Sequence, residues 1–374
     1  TYDKNNSTNK KQFISLIKSI ADYCNVGIKA SYMALESLAV LKSEKQLMDG
    51  IINTDTTIVR SSFSKINLPS TYRNYIDLEI YSDYTMGYAD TIGFRAGTCT
   101  PFLFYDLDYE IVTDEQLHQD GFKAIKKYKT LITGTHPEYH TKETLDALCD
   151  FRDNGGSLNY LGGNGFYWRI AIHKENKNIL EIRRPEGGIR AWASEPGESY
   201  NAFDGTYGGL WRRSGRAPQE LVGIGFTAQG NFYGHPYERK CFDSKLDWIF
   251  EGIKDNKIGD FGFSGNGAAG FELDHIDSDL TSKKEIILLA QSKASKDPKE
   301  NFILVPESQL THLSNIKHLP EEEILQADMV YFTVPGGGSV FSTGSITFCG
   351  SLPWNNFDNN VSKLLENIIN KSIS

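Results

Sequence analysis

The segment Thr133-Gly-Thr-His-Pro-Glu-Tyr-His140 decides the fold, because it joins a predicted strand to a predicted helix. The strand is Tyr128-Lys-Thr-Leu-Ile-Thr133, and the amphipathic helix covers residues 142–151. A second strand then enters a glycine-rich turn, Leu158-Asn-Tyr-Leu-Gly-Gly-Asn-Gly165. A strand, helix and strand in this order are typical of adjacent parallel strands. We therefore predict an α/β fold with a parallel or mixed sheet.

Polar side chains follow both predicted strands. His136 and Glu138 come after the first strand, and Asn164 comes after the second. Ligands bind outside the carboxyl ends of parallel strands, and these side chains can hold a metal or move protons. Two simpler interpretations stay open. His136 and Glu138 could cap the helix that follows, since a glutamate is favourable near a helix N-terminus, and Asn164 could be only a turn residue with positive φ.

Composition limits the class of protein. A chain of 374 residues is long enough for two domains. The net charge of −9 argues against nucleic acid or an anionic membrane as the main partner. Five scattered cysteines without a CxxC pair favour a reducing compartment, so we expect a cytoplasmic protein. No stretch approaches the roughly 18 apolar residues of a membrane-spanning helix.

The pattern along the chain predicts two domains. In residues 1–107 short strands alternate with helices, which indicates a partial α/β barrel. A new pattern occupies 108–374 and begins with a predicted strand at residues 109–112 and a predicted helix from Asp114 to Tyr128. Residues 285–350 are expected to complete its sheet. Within it, residues 166–240 carry short strands and glycine-rich turns, which predicts a β-rich insertion.

Several long runs between Tyr109 and about Ser372 carry a family resemblance. They include Thr135-His-Pro-Glu-Tyr139, Tyr160-Leu-Gly-Gly-Asn-Gly-Phe-Tyr-Trp168, Tyr207-Gly-Gly-Leu-Trp-Arg-Arg-Ser-Gly-Arg-Ala-Pro218, Gly267-Ala-Ala-Gly-Phe-Glu272 and Gly344-Ser-Ile-Thr-Phe-Cys-Gly-Ser-Leu352. In these runs the chain resembles the C-terminal region of the N,N-dimethylformamidase large (beta) subunit. The resemblance implies a glutamine-amidotransferase-like α/β sheet and hydrolysis of small formamides. It also implies an oligomer, with a possible small accessory subunit.

The same resemblance implies an iron site. The family uses a mononuclear iron held by tyrosines and one glutamate, and by motif position that glutamate is Glu138. His136 and Asn164 would contact substrate or water, and Glu272 would be the carboxylate that handles protons. Fe³⁺ is a hard cation that suits phenolate and carboxylate oxygens, and a bound metal activates water and polarises a carbonyl. Glu272 could alternatively be a surface strand residue.

The tyrosine ligands are less defined. In the family they come from sequence upstream of the His-Pro-Glu motif, and the predicted ligands here are Tyr84 and Tyr88, with Tyr81 nearby. Three alternatives stay open. These tyrosines replace the family's ligands, or other tyrosines contribute, or no iron site forms. The other candidate tyrosines are Tyr139, Tyr160 and Tyr167.

Residues 1–107 carry a different resemblance. The run Asp83-Tyr-Thr-Met-Gly-Tyr-Ala-Asp-Thr-Ile-Gly-Phe-Arg-Ala-Gly-Thr-Cys-Thr-Pro-Phe-Leu-Phe-Tyr-Asp-Leu107 is similar to the C-terminal half of NodB-like polysaccharide deacetylases. The metal-binding histidines of that family are missing, because Lys29 and Ser62 stand at their places. An ammonium group cannot ligate a divalent cation. We therefore expect this part of the chain to bind no metal there and to be unable to deacetylate.

The leading hypothesis is metal-dependent hydrolysis of a small amide by metal-activated water. One alternative is a carbohydrate deacetylase-related protein. Another is a non-catalytic binding or scaffold module. The first hypothesis requires that His136, Glu138, Asn164 and Glu272 meet at one place.

Overall fold

A computed structural model of the chain describes residues 10–87, 110–185, 195–280, 285–294, 299–305 and 320–374. The chain divides into two compact units, Thr1–Glu110 and Ile111–Ser374. The predicted domain boundary at residues 107 and 108 lies outside the described residues, as does most of the run that resembles a deacetylase.

The N-terminal unit is a small α/β structure. Its elements are α1 (Lys11–Ala21), β1 (Ile28–Ala30), α2 (Leu38–Ile52), β2 (Ile58–Ser61), α3 (Ser70–Asp77) and β3 (Ser82–Asp83). The strands form a parallel sheet in the order β1-β2-β3, with Ile28 opposite Val59. Leu41, Val59 and Tyr75 belong to its buried core. This confirms the predicted alternation of strand and helix, and the partial barrel stays a prediction.

The C-terminal unit contains the remaining described elements. Its helices are α4 (Asp114–Asp120), α5 (Phe122–Ile125), α6 (Lys142–Asp153), α7 (Pro218–Val222), α8 (Glu321–Ile324) and α9 (Asn360–Ile373). Its strands are β4 (Thr130–Ile132), β5 (Tyr139–His140), β6 (Ser157–Tyr160), β7 (Trp168–Ile172), β8 (Leu180–Ile182), β9 (Gly225–His235), β10 (Tyr237–Arg239), β11 (Lys257–Ile258), β12 (Ala269–His275), β13 (Ile287–Lys293), β14 (Ile303–Leu304), β15 (Gln326–Thr333) and β16 (Ser339–Ser342).

A seven-stranded mixed sheet forms the centre of this unit, in the order β11-β10-β13-β15-β16-β6-β4. Strands β4, β6 and β16 are parallel, and the other neighbours are antiparallel. Leu131 of β4 lies opposite Leu158 of β6, so the two predicted strands are neighbours. The mixed α/β class is thereby confirmed, and the glutamine-amidotransferase-like arrangement stays a prediction.

Two smaller sheets accompany the large one. Strands β12, β9 and β14 pair antiparallel, and β5, β7 and β8 form the other sheet. Strands β7 to β10 lie in the segment 166–240, in agreement with its predicted β content. Strand β10 nevertheless pairs with β13, so part of this segment belongs to the large sheet.

Two local predictions were wrong. The single helix predicted from 114 to 128 is divided at Gly121, whose φ of 58° is incompatible with a continuous helix. The strand predicted at 109–112 is absent from its described residues, 110–112. Thr113 instead caps α4, because its hydroxyl accepts a hydrogen bond from the backbone N–H of Gln116.

Candidate functional site

The loop after β4 brings His136 and Glu138 together. The Nε2 atom of His136 lies 3.4 Å from Oε2 of Glu138. Neither side chain caps the helix that follows. Thr141 takes that role, since its hydroxyl accepts a hydrogen bond from the backbone N–H of Thr144. The helix-capping interpretation of this pair is therefore wrong.

The glycine turn, residues 161–165, brings Asn164 to the same place. Asn164 has a φ of 53°, and its Nδ2 atom donates to Oε1 of Glu138 over 3.0 Å. The turn packs against backbone on both sides. A Cβ on Gly162 would lie 2.2 Å from the carbonyl oxygen of Thr135, and one on Gly163 would lie 2.5 Å from that of Glu272. Asn164 is thus a turn residue with positive φ and also a contact of Glu138.

Glu272 reaches the site from a different sheet. Strand β12 carries a register shift between Gly270 and Glu272, and the intervening Phe271 has a φ of 67°. Such a bulge redirects the side chains that follow it. The Oε2 atom of Glu272 lies 3.1 Å from Nε2 of His136. The interpretation of Glu272 as a surface residue is therefore wrong, because it is buried.

The four residues form a largely buried polar group with one accessible member. The Glu138 and Glu272 side chains are 9% and 6% exposed, whereas the His136 side chain is 40% exposed. The hydrogen bond to Glu272 raises the pKa of His136 above its usual value, with support from the charges of Glu272, Glu138 and Asp274, although partial burial opposes this. The contact with Glu272 therefore shifts the His136 ring towards its charged form.

Asp274 and Tyr160 extend the hydrogen-bond network of the site beyond Asn164. The sequence predicted this structural role for neither residue. Oδ1 of Asp274 accepts from the backbone N–H of Asn164 over 2.8 Å, and Oδ2 accepts from the Tyr160 hydroxyl over 2.8 Å. Burial raises the pKa of Asp274 to about 7, against the lowering effect of these two donors. Asp274 lies two residues after Glu272 on β12, and this alternate spacing was the available signal.

One oxygen atom of the site, Oδ1 of Asn164, is buried and lacks a hydrogen-bond donor among the described residues. Oε2 of Glu272, in contrast, lies 3.1 Å from Nε2 of His136. Buried oxygens normally have a donor or a cation beside them. The arrangement can therefore accept a proton or a polar ligand.

Both predicted tyrosine ligands belong to the N-terminal part of the chain, Thr1–Glu110. Tyr84 belongs to the N-terminal unit and is 66% exposed, and Tyr88 lies outside the described residues. The Tyr160 hydroxyl is bonded to Asp274 and to the backbone N–H of Gly165. Over the described ranges, no group of three or more His, Cys, Asp or Glu side chains is arranged to hold a metal ion. These residues supply one suitable carboxylate, Glu138, and no complete iron ligand set.

Fold and site together define a mixed α/β protein in which an imidazole and a buried carboxylate after β4 meet a second buried carboxylate, Glu272, on the bulged strand β12. Residues 104–360 match the family described as N,N-dimethylformamidase beta subunit-like, C-terminal, and the chain belongs to this family. It is 36% identical over 272 residues to the N,N-dimethylformamidase beta subunit of Alcaligenes sp. It is also 36% identical over 268 residues to the protein of the same name from Paracoccus aminophilus.

These matches cover 71% and 70% of this chain but only 35% and 34% of the two relatives. The chain therefore spans about a third of the length of the curated relatives it matches. The family match begins at residue 104, and the predicted resemblance of residues 1–107 to polysaccharide deacetylases is not supported. Among the described helices, none has the length and apolar character needed to cross a membrane.

Proposed function

We propose that this chain hydrolyses the C–N bond of a small amide of the formamide type. The observation that carries the proposal is the contact between His136 and Glu272 beside Glu138 and Asn164. It occurs in a chain of the formamidase family, whose two relatives are named N,N-dimethylformamidase beta subunit. A buried carboxylate beside a half-exposed imidazole is a suitable pair for moving protons.

In the proposed reaction a water molecule adds to the amide carbonyl carbon, and the C–N bond then breaks. Glu272 accepts the proton that the attacking water loses. His136, in its charged form, donates a hydrogen bond to the substrate, and the proton that Glu272 accepted passes to the amine nitrogen as the C–N bond breaks. The products are the carboxylic acid and the amine, so one water is consumed for each bond broken.

Asn164 has two roles in this proposal. Its Nδ2 group holds Glu138 in place through the 3.0 Å hydrogen bond. Its Oδ1 atom is buried and has no donor among the described residues, so it can accept a hydrogen bond from water or from an N–H of the substrate. The side chain would thereby orient the reacting group relative to His136.

We further propose that Glu138 is the carboxylate ligand of an iron ion. Support comes from the family resemblance and from Glu138 itself, a buried carboxylate, which is a suitable ligand for a hard cation. When bound, ferric iron supplies Lewis-acid polarisation of the carbonyl and lowers the pKa of a bound water. The proton transfers assigned above to Glu272 and His136 do not depend on that ligand.

The relatives' names describe one subunit of a larger enzyme. We propose that this chain also assembles with other subunits, as an oligomer with a small accessory subunit. We propose a cytoplasmic location from cysteine usage. Four cysteines (24, 149, 241 and 349) are free in the described part of the chain.

An assay of formate and dimethylamine release from N,N-dimethylformamide tests the proposed hydrolysis. Wild type should release both products in equal amounts, and Glu272→Gln should lose most turnover because an amide cannot accept the proton. Glu300→Gln is a matched control, since Glu300 is also buried and pairs with a different histidine, His235, at 2.7 Å. It should keep wild-type turnover. If neither formamides nor other small amides are hydrolysed by the iron-loaded, assembled protein, the chain is a non-catalytic module and the proposal is wrong.

A further inference from the structure

The Asp274 carboxylate makes its hydrogen bonds with the glycine turn and with Tyr160 rather than with His136 or Glu272. It is fully buried, and its two carboxylate oxygens each accept one hydrogen bond, from the Asn164 backbone and from the Tyr160 hydroxyl. The Tyr160 oxygen accepts in turn from the backbone N–H of Gly165 over 2.7 Å. Two consecutive N–H groups of the glycine turn are therefore held by one carboxylate and one phenol.

This part of the turn needs such support. Asn164 has a φ of 53° and Phe166 has a φ of 55°, a backbone region that residues other than glycine adopt at some cost. The turn also contains three glycines, which leave the unfolded backbone many alternative conformations. Two hydrogen bonds from its backbone, one to Asp274 and one to Tyr160, select one conformation, and that conformation points the Asn164 amide at Glu138.

Among the described residues, no other contact fixes the orientation of the Asn164 amide in this way. Its side chain contacts only Glu138 and His136, which are themselves the groups to be oriented. Gly163 on the other side bonds weakly, its N–H lying 3.3 Å from the Thr135 carbonyl oxygen. The position of the Asn164 amide therefore depends on the hydrogen bond from its backbone N–H to Asp274 on β12.

We propose that Asp274, acting through Tyr160 and the glycine turn, is the positioning residue that fixes Asn164 in the site. Strand β12 also carries Glu272, so one strand would set both the proton acceptor and the amide. A displacement of that strand would move the two groups together. The consequence for turnover rests on the proposed amide hydrolysis, whereas the positioning itself does not.

The test compares three variants of the full chain. Asp274→Asn removes the charge and one acceptor at nearly constant shape. Tyr160→Phe removes only the hydroxyl, and this variant carries the test if Asp274→Asn fails to fold. Asp328→Asn is the matched control, because Asp328 is equally buried and contacts the end of β12 next to Asp274, through the His275 ring and the Ile276 N–H, and none of its described hydrogen bonds goes to the glycine turn.

The first readout is independent of catalysis. In protein labelled with ¹⁵N-asparagine, the Asn164 N–H signal, identified by its loss in Asn164→Ser, should exchange with solvent at least about tenfold faster in Asp274→Asn and Tyr160→Phe. It should keep its wild-type rate in Asp328→Asn. If the Asn164 N–H behaves as in wild type in both test variants, the positioning role is overturned.

The second readout is kinetic. Misplacing a group by about 1 Å can cost about 10²-fold in rate, so kcat should fall by up to that factor in both test variants while KM changes little. A loss confined to thermal stability, with unchanged kcat for the folded fraction, would show that Asp274 is merely structural. If wild type hydrolyses no amide, the proposed function fails, and the exchange measurement still decides the positioning role.

Discussion

The Nε2 atom of His136, which lies in a loop, is 3.1 Å from Oε2 of Glu272, and Glu272 belongs to a different sheet from the strand before that loop. His136 follows a strand of the seven-stranded sheet, whereas Glu272 lies on β12 of the antiparallel sheet. The site is therefore a product of two sheets meeting, and the chemistry of each residue depends on the other.

Removing the Glu272 charge should lower the pKa of His136. The hydrogen bond to Glu272 is the largest cause of the raised pKa, and burial, which lowers it, would remain. In metal-free protein, Glu272→Gln should therefore move the His136 ring titration, followed by NMR, towards or below 6.5. Glu300→Gln should leave that titration unchanged. An unchanged His136 pKa in Glu272→Gln would contradict the observed contact.

Adding a methyl group at Gly163 should disturb the site. The new Cβ would lie 2.5 Å from the Glu272 carbonyl oxygen and 3.1 Å from the backbone nitrogen of Ile346. Overpacking of this kind costs about 1–3 kcal/mol, so Gly163→Ala should lower the free energy of unfolding by that amount and reduce turnover. Gly134→Ala is the control, since its Cβ would meet nothing within 4 Å. Equal denaturant midpoints for the two variants would refute the close approach.

The stability of the protein should depend on Asp274 in a defined pH range. Native Asp274 has a pKa of about 7 against an ordinary value of 3.8, so the native state binds more protons between these values. Its contribution to the free energy of unfolding is present below pH 4 and is lost as pH rises to 7. The stability of wild type relative to Asp274→Asn should fall across this range, by up to about 4 kcal/mol. Denaturant titrations at pH 4.5, 6 and 8 measure it, and a constant difference would contradict it.

Replacing Glu138 should abolish iron binding if Glu138 is the proposed carboxylate ligand. Wild type reconstituted with ferric iron should hold about one iron per chain and show a phenolate-to-iron absorption band. Glu138→Ala should lose both, because a site with few ligands cannot spare one carboxylate. Glu272→Gln should keep the iron. Iron retained in Glu138→Ala would reject Glu138 as a ligand.

Much of the fold was determined by local sequence. Alternating runs of apolar residues predicted β4, α6 and β6, and the polar residues after the two strands indicated where a ligand would bind. These elements obey short-range rules of periodicity and capping, so a single sequence is sufficient to place them. The predicted meeting of His136, Glu138 and Asn164 followed from the adjacency of the two strands.

Other features needed contacts between distant parts of the chain. No local sequence pattern shows that β12 belongs to the smaller antiparallel sheet rather than to the seven-stranded sheet. Nor does any local pattern show that the bulge of β12 turns Glu272 towards His136, or that Asp274 holds the glycine turn. The division of the helix at Gly121 was likewise unforeseen, since a glycine inside a helical pattern does not by itself end it. The sequence determined which residues can do chemistry. Their pairing, burial and protonation were decided by the tertiary structure, because desolvation and charge proximity exist only once the chain has folded.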